Sequence, residues 1–278
     1  MVKYQKWNCN IEMMIKNCLM WMAIPVLAFS LSCDKNNKVN FLSVADDIKL
    51  GREVDQQIMN TPAEYPILPK ANYPVAYGHM ERIFNSILAS DKVVYKTEFP
   101  WEVKIIQNDS VLNAFCTPGG FVYVYTGLIK YLDSEDHLAG ILGHEIAHAD
   151  LRHTSRQLTQ KYGFDILIQV VLGNNAGSLV TIASGLKDLT YSRSYETESD
   201  AKSVEYLSGS GYQCNGAAGF FEKLADPSTS EPRPPQWLST HPNPDNRIRD
   251  INAKAQNVGC STTPLKPSSY QEFKNSLP

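Results

Sequence analysis

The sequence predicts an α+β fold, mainly helical, with a small antiparallel sheet beside one central helix. Three observations lead there. Helical periodicity dominates from Ser43 onward, strand-like patterning is confined to the stretch between Trp101 and Ile129, and no internal repeat is present. With 278 residues and 43% hydrophobic content the chain can bury one sizeable core, so a single domain is expected. The formal charge of -3 offers no basic field, and no Lys/Arg run marks a nucleic-acid arm. Nucleic acid is not expected as a partner.

The first segment differs from the rest. Lys16 precedes an almost uncharged run, "NCLMWMAIPVLAFSLSC", which ends in small residues and Cys33. The run is short for a bilayer span, contains Pro25 and is followed by the polar "DKNNK". Residues 1–32 therefore read as a signal peptide, 33–42 as a linker, 43–262 as the folded domain and 263–278 as a C-terminal tail. Ser30, Leu31 and Ser32 before Cys33 resemble a bacterial lipobox, although Leu31 stands two residues ahead of the cysteine where three is usual. That likeness implies export, acylation of Cys33 and membrane attachment through it, in the periplasm or at the outer membrane. Glu12 and "YQKWNCN" make a poor leader start, whereas Met13 or Met14 would give a short basic one. Export permits disulfides; Cys214 and Cys260 are a plausible pair, with unpaired burial as the alternative.

Within the domain, "SVADDIKLGREVDQQIM" carries Val44, Ile48, Leu50, Val54 and Ile58 on one helical face, and "YGHMERIFNSILA" does the same with Met80, Ile83, Phe84 and Ile87. The proline-rich "NTPAEYPILPKANYP" connects them. "WEVKIIQNDS" alternates as a strand, and "VLNAFCTPGGFVYVYTGLI" reads as two strands joined around Pro118, Gly119 and Gly120. The stretch "DSEDHLAGILGHEIAHADLRHTSRQLTQ" follows as a helix, with Asp133 or Ser134 as N-cap and an apolar stripe of Leu138, Ile141, Leu142 and Ile146. "FDILIQVVLGNNAGSLVTIASGL" is apolar, but Asp165, Gln169, Asn174 and Asn175 interrupt it, so a buried or lid-like helical pair is expected. "SYETESDAKSVEYL" and "GAAGFFEKLA" are helical, "DPSTSEPRPPQWLSTHPNPDN" is a loop, and the tail beyond Cys260 is expected to be loosely ordered.

Chemistry concentrates in "GILGHEIAHADLRH". His144 and His148 lie one turn apart, so both imidazoles can reach one Zn²⁺ at roughly 2.0–2.1 Å. Glu145 beside them can take a proton from water that the metal activates and return it to a leaving amine, which is the machinery of a zinc peptidase. A catalytic zinc wants a third protein ligand. His153 lacks the glycine turn that brings a third histidine round, and His137 is two turns from His144, about 10 Å by helix rise, so both are assigned to the scaffold. Glu196 is the better third ligand. "SYETESDA" sets Glu196 and Asp200 at i and i+4, where Asp200 can accept an N–H from a ligand histidine.

These blocks, with "NAFCTPGGFVYVYTGLI" before the helix, "YSRSYETESDA" after it and "THPNPDNRI" late in the chain, resemble the zinc metallopeptidases that include HtpX, the periplasmic BepA-like proteases and the CAAX prenyl endopeptidases. The resemblance is nearest to the BepA-like members. It implies a zincin-like metallopeptidase domain, one Zn²⁺ per chain, and Glu196 as third ligand in an E-x-x-A-D pattern where Ser199 replaces the alanine. It implies that Asn113, Ala114 and Phe115 form a strand edge that pairs with extended peptide. It implies two possible roles for His241, donating to the oxyanion at the scissile carbonyl or filling the open coordination position, and for Arg247 the orientation of a carboxylate or of its own loop.

The function expected is zinc-dependent endoproteolysis of extended or misfolded envelope proteins, with envelope assembly machinery as a candidate partner. A non-enzymatic, zinc-containing assembly or chaperone-like factor is the alternative, against which the intact Glu145 argues. A hydrolase of some non-peptide bond is a further one.

Overall fold

Ser43 stands at the head of the first helix among the described residues. Its hydroxyl accepts from the Asp46 amide while the Asp46 carboxylate accepts from the Ser43 amide, a capping box that opens α1, Val44–Met59. The computed structural model describes residues 35, 40–226, 236–242, 246–264 and 270–278; the signal segment, Cys33 and parts of the proline-rich loop lie outside them. The chain divides into units Met1–Phe41 and Leu42–Pro278, and every element named here belongs to the second. After α1 come α2 (Pro74–Leu88), β1 (Glu102–Ile106), β2 (Ala114–Cys116), β3 (Phe121–Tyr125), α3 (Thr126–Tyr131), α4 (Glu135–Asp150) and α5 (His153–Tyr162). Then follow α6 (Phe164–Val171), α7 (Ala176–Gly185), a 3-10 turn (Leu186–Asp188), α8 (Arg193–Leu207), α9 (Gly216–Ala225), α10 (Gln236–Thr240), α11 (Arg247–Val258) and α12 (Tyr270–Asn275).

The sheet is mixed rather than antiparallel, with order β1-β3-β2. β2 and β3 form the expected hairpin, Cys116 facing Val122, around Gly119 and Gly120. Both glycines have positive φ, 78° and 91°, which side-chain-bearing residues adopt only under strain. β1 instead runs parallel to β3, Glu102 beside Phe121 and Ile106 beside Tyr125. The connection through Asn108 carries the chain past β3 to its far edge, a crossing that strand alternation does not encode.

Alternation does explain the two faces. Val122 and Val124 of β3 join Val103, Ile105 and Ala114 in a core with α2, α4, α8 and α9, while Phe121, Tyr123 and Tyr125 turn to the opposite side, where Leu50, Val54, Leu167 and Ile182 of α1, α6 and α7 meet them. The sheet is thus covered on both sides. α4 is buried around almost its whole circumference, a wider burial than its apolar stripe implied. Small residues make this possible: a Cβ on Gly140 would lie 2.0 Å from the Ala217 nitrogen of α9, so only glycine admits that approach.

Four local readings change. The stretch ending "YTGLI", expected as strand, turns helical at Thr126 where α3 begins. The helix expected from Ser134 to Gln160 breaks at Arg152, whose φ of 58° is left-handed, and restarts as α5. The proline-rich loop contains α10, and α11 follows it. The tail beyond Cys260 is not loose throughout, since Phe273 and Tyr270 of α12 are buried in the main core. Among the described residues no single helix is long and apolar enough to cross a membrane; α6 and α7 with the 3-10 turn pass that test only jointly and bend by 111°.

Candidate metal centre

His144 and His148 point from the same side of α4, their rings 4.6 Å apart between centroids and their Nε2 atoms 3.0 Å apart. α8 crosses this helix and delivers Glu196, with Oε2 3.4 Å from His144 Nε2 and Oε1 3.3 Å from His148 Nε2. Tetrahedral zinc with ligands at roughly 2.0–2.1 Å would hold its donor atoms about 3.3 Å apart; the two imidazole nitrogens, and each of them with the carboxylate oxygen of Glu196 that faces it, lie near that value. His241 completes a group of four whose donor atoms all fall within 4.8 Å of one another.

The residues fit a cation for a second reason. Glu196 Oε1 and His241 Nε2 are buried without a hydrogen-bond partner, and two imidazole nitrogens face each other across the group. Such an arrangement is costly by itself, whereas a divalent ion would satisfy every one of these atoms. Burial raises the Glu196 pKa, but His241, His144 and Arg247 outweigh it and hold the group below its usual range, so it stays anionic. Burial, reinforced by His144, pushes His148 far down, leaving it neutral as a metal ligand must be.

Supporting contacts converge from α8 and α11. His144 Nδ1 lies 2.9 Å from Asp200 Oδ1. Without a cation, hydrogen bonds to Asp200 and Glu196 outweigh burial and lift the His144 pKa to about 9, so a metal ion would bind there by displacing the Nε2 proton. Arg247 Nε and Nη2 donate to Asp200 at 2.7 and 2.5 Å, and Nη1 donates to Glu196 at 3.0 Å. Buried against Phe221 and Trp237, this guanidinium is turned to the chain's own carboxylates.

Glu145 is enclosed beside the histidines. Its Oε1 accepts from Trp237 Nε1 at 3.4 Å and lies 3.4 Å from His241 Nε2, while Oε2 has no hydrogen-bond partner. Burial is the main cause that lifts its carboxyl to about 7. His241 follows α10, stacks on Trp237 with centroids 4.3 Å apart, and has Nδ1 2.9 Å from Thr240 Oγ1. His144, Glu145, His148, Glu196 and His241 are all 0% exposed.

Asn113, Ala114 and Phe115 run into edge strand β2. Asn113 Nδ2 donates to the Lys187 carbonyl of the 3-10 turn, the Trp237 amide donates to the Leu112 carbonyl, and Phe115 stacks on Tyr123. The edge is therefore packed beneath the 3-10 turn and α10, and α10 also covers Glu145. Cys33 lies outside the described residues. Sequence reasoning passed over Trp237, the donor to Glu145, and Tyr191, whose ring stacks on His148 at 3.9 Å. Tyr191 sits in the quoted block "YSRSYETESDA", but nothing local marks either ring. His153 does not reach the donor group; it lies behind His148.

Comparison with known proteins agrees with this architecture. The model of peptidase family M48 matches residues 76–255. The beta-barrel assembly-enhancing protease of Escherichia coli K12 is 26% identical over 245 residues, 84% of this chain and 47% of that protein. Its Yersinia pestis counterpart is 27% identical over 230 residues, 78% and 45% respectively. The mitochondrial metalloendopeptidase OMA1 of Arabidopsis thaliana is 34% identical over 150 residues, 54% of this chain and 30% of that one. The chain spans about half the length of the two bacterial relatives.

Proposed function

The chain belongs to peptidase family M48, and on that premise we propose that it is a zinc-dependent endopeptidase acting on extended or misfolded proteins of the cell envelope. The observation that carries the proposal is the convergence of His144, His148 and Glu196 donor atoms at zinc-ligand spacing, with the Glu145 carboxylate enclosed beside them. A zinc ion in that group supplies Lewis acidity, polarising the scissile carbonyl and making water easier to deprotonate.

The remaining steps belong to the chain. Glu145, with one oxygen free of hydrogen bonds and a pKa lifted to about 7, takes the proton of the attacking water and hands it to the amine that leaves. Asp200 accepts the Nδ1 proton of His144, which directs Nε2 into the group, and Arg247 holds both Asp200 and Glu196 in place. β2 is the edge on which an extended substrate would add as a strand, through Asn113, Ala114 and Phe115. That edge lies under α10 and the 3-10 turn, and Glu145 under Trp237 of α10, so the described conformation is a closed one. His241 closes it: its Nε2 fills the space beside the ligands that a substrate carbonyl needs, and it withdraws when substrate or a partner moves α10. An envelope setting, with Cys33 lipidated and contact with assembly machinery, is supported by the signal-like run before Cys33 and by bacterial relatives named for beta-barrel assembly.

The test is metal analysis of the purified chain alongside cleavage of an unfolded protein, for wild type and Glu145→Gln. One zinc per chain in both is expected, with cleavage lowered roughly 10²–10⁴-fold in the variant. A chain without zinc would sink the proposal. Zinc in both proteins with equal cleavage would favour the binding-factor alternative.

A further inference from the structure

The proposed chemistry leaves one buried histidine unused. His153 opens α5, is fully buried, and reaches its place because Arg152 turns in the left-handed region with its guanidinium Nε 2.6 Å from Asp47. That turn folds the chain back so that His153 comes to lie directly behind His148.

The two ligand histidines need the same thing. An imidazole that gives one nitrogen's lone pair to a metal carries its proton on the other nitrogen, and whatever accepts that proton fixes the ring's rotation and tautomer. For His144 the acceptor is Asp200. For His148, whose Nε2 faces the donor group, Nδ1 lies 3.2 Å from Nδ1 of His153. A bare Nδ1 on His153 accepts there only if its own proton sits on Nε2, and that atom faces Glu198 Oε2 at 3.4 Å. The carboxylate favours this tautomer. The Ser199 hydroxyl shares the same Nδ1 at 3.2 Å, and Tyr195 stacks on the ring, 4.1 Å between centroids with planes 10° apart. The ring is thus held in both plane and rotation.

We infer that His153 is the positioning residue of His148, accepting its Nδ1 proton, with Glu198 setting the tautomer that lets it do so. The inference rests on the zinc reading of His144, His148 and Glu196. It gives the two ligand histidines unlike supports, a charged carboxylate for one and a neutral imidazole for the other.

The experiment measures zinc affinity of the full chain by competition with a chelator, and thermal unfolding of the zinc-free protein, in wild type and three variants. His153→Leu keeps much of the volume and removes the acceptor; His153→Asn restores an acceptor where Nδ1 stood. Affinity is expected to fall roughly 10- to 100-fold in the leucine variant and to recover most of that loss in the asparagine one, without a matching order in zinc-free unfolding temperature. Equal affinity in wild type and His153→Leu, or equal weakening in both His153 variants, would overturn the inference. Should His153→Leu fail to fold, Glu198→Gln on the partly exposed carboxylate decides: a several-fold weakening supports the inference and unchanged affinity overturns it. Wild type that binds no zinc removes the functional reading and this inference together, whereas zinc-binding wild type with unaffected variants removes only the inference.

Discussion

At the scale of single residues, the environment of Glu145 sets a pH dependence. A general base works only when deprotonated, so cleavage should fall as pH drops through the Glu145 pKa. Burial lifts that value to about 7, and a bound cation pulls it down again, which places the acid limb of kcat/KM at or below pH 7. Activity that rises between pH 7 and pH 5 would contradict the assignment. Arg247 carries a second prediction. Replacing it with methionine leaves Glu196 and Asp200 buried without their shared counter-charge and should cost about 3–5 kcal/mol in urea unfolding. Arg247→Lys should recover only part, because one ammonium cannot span both carboxylates. Much of this centre was legible from spacing: His144, Glu145 and His148 on one turn, Glu196 and Asp200 on another. The place of His153 was not, since it depends on an Arg152 turn held by Asp47, an ion pair across 105 positions. Trp237 was equally silent, its indole meeting Glu145 only through tertiary packing.

At the scale of elements, the buried helix α4 is fixed by how closely its neighbours approach. Gly140→Ala would drive a methyl into the backbone of α9 and should destabilise the protein by about 1–3 kcal/mol, or more if α9 cannot shift, measured by thermal unfolding. The reverse end of α4 is held by Asp150, which accepts from the Val94 and Tyr95 amides and the Tyr206 hydroxyl. Element type was well encoded: caps and apolar periodicity located α1, α2, α8 and α9 to within a few residues, and the start of α4 but not its end. The parallel pairing of β1 was not encoded, because alternation reports which residues share a face and not which neighbour the strand chooses. α11 escaped because the apolar side it turns to the core is thin, Ile248, Ile251 and Ala255, in a helix that is otherwise mostly polar. α10 was hidden in a proline-rich context that reads as loop.

At the scale of the whole molecule, the proposed centre spans α4, α8 and the segment after α10, so zinc would add a further tie between elements that packing and a few hydrogen bonds already join. Removing it with a chelator should lower the unfolding temperature, by the equivalent of about 2.7 kcal/mol where free zinc had stood at a hundred times its dissociation constant. His241→Ala should raise cleavage of an unfolded substrate by opening the closed state; a fall instead would assign His241 to the oxyanion. Full burial of Glu145 could not be read from sequence, since Trp237 of α10 and His241 after it reach the carboxylate only through tertiary packing. The tie between Cys214 and Cys260, which sequence left open against unpaired burial, is made. It encloses α9, α10, His241 and Arg247 in a covalent ring that only an oxidising compartment would preserve. Blocking thiols in living cells and reading the mass added to the chain would therefore report its address: a protected sulfur pair records passage out of the cytoplasm, a labelled pair records residence within it.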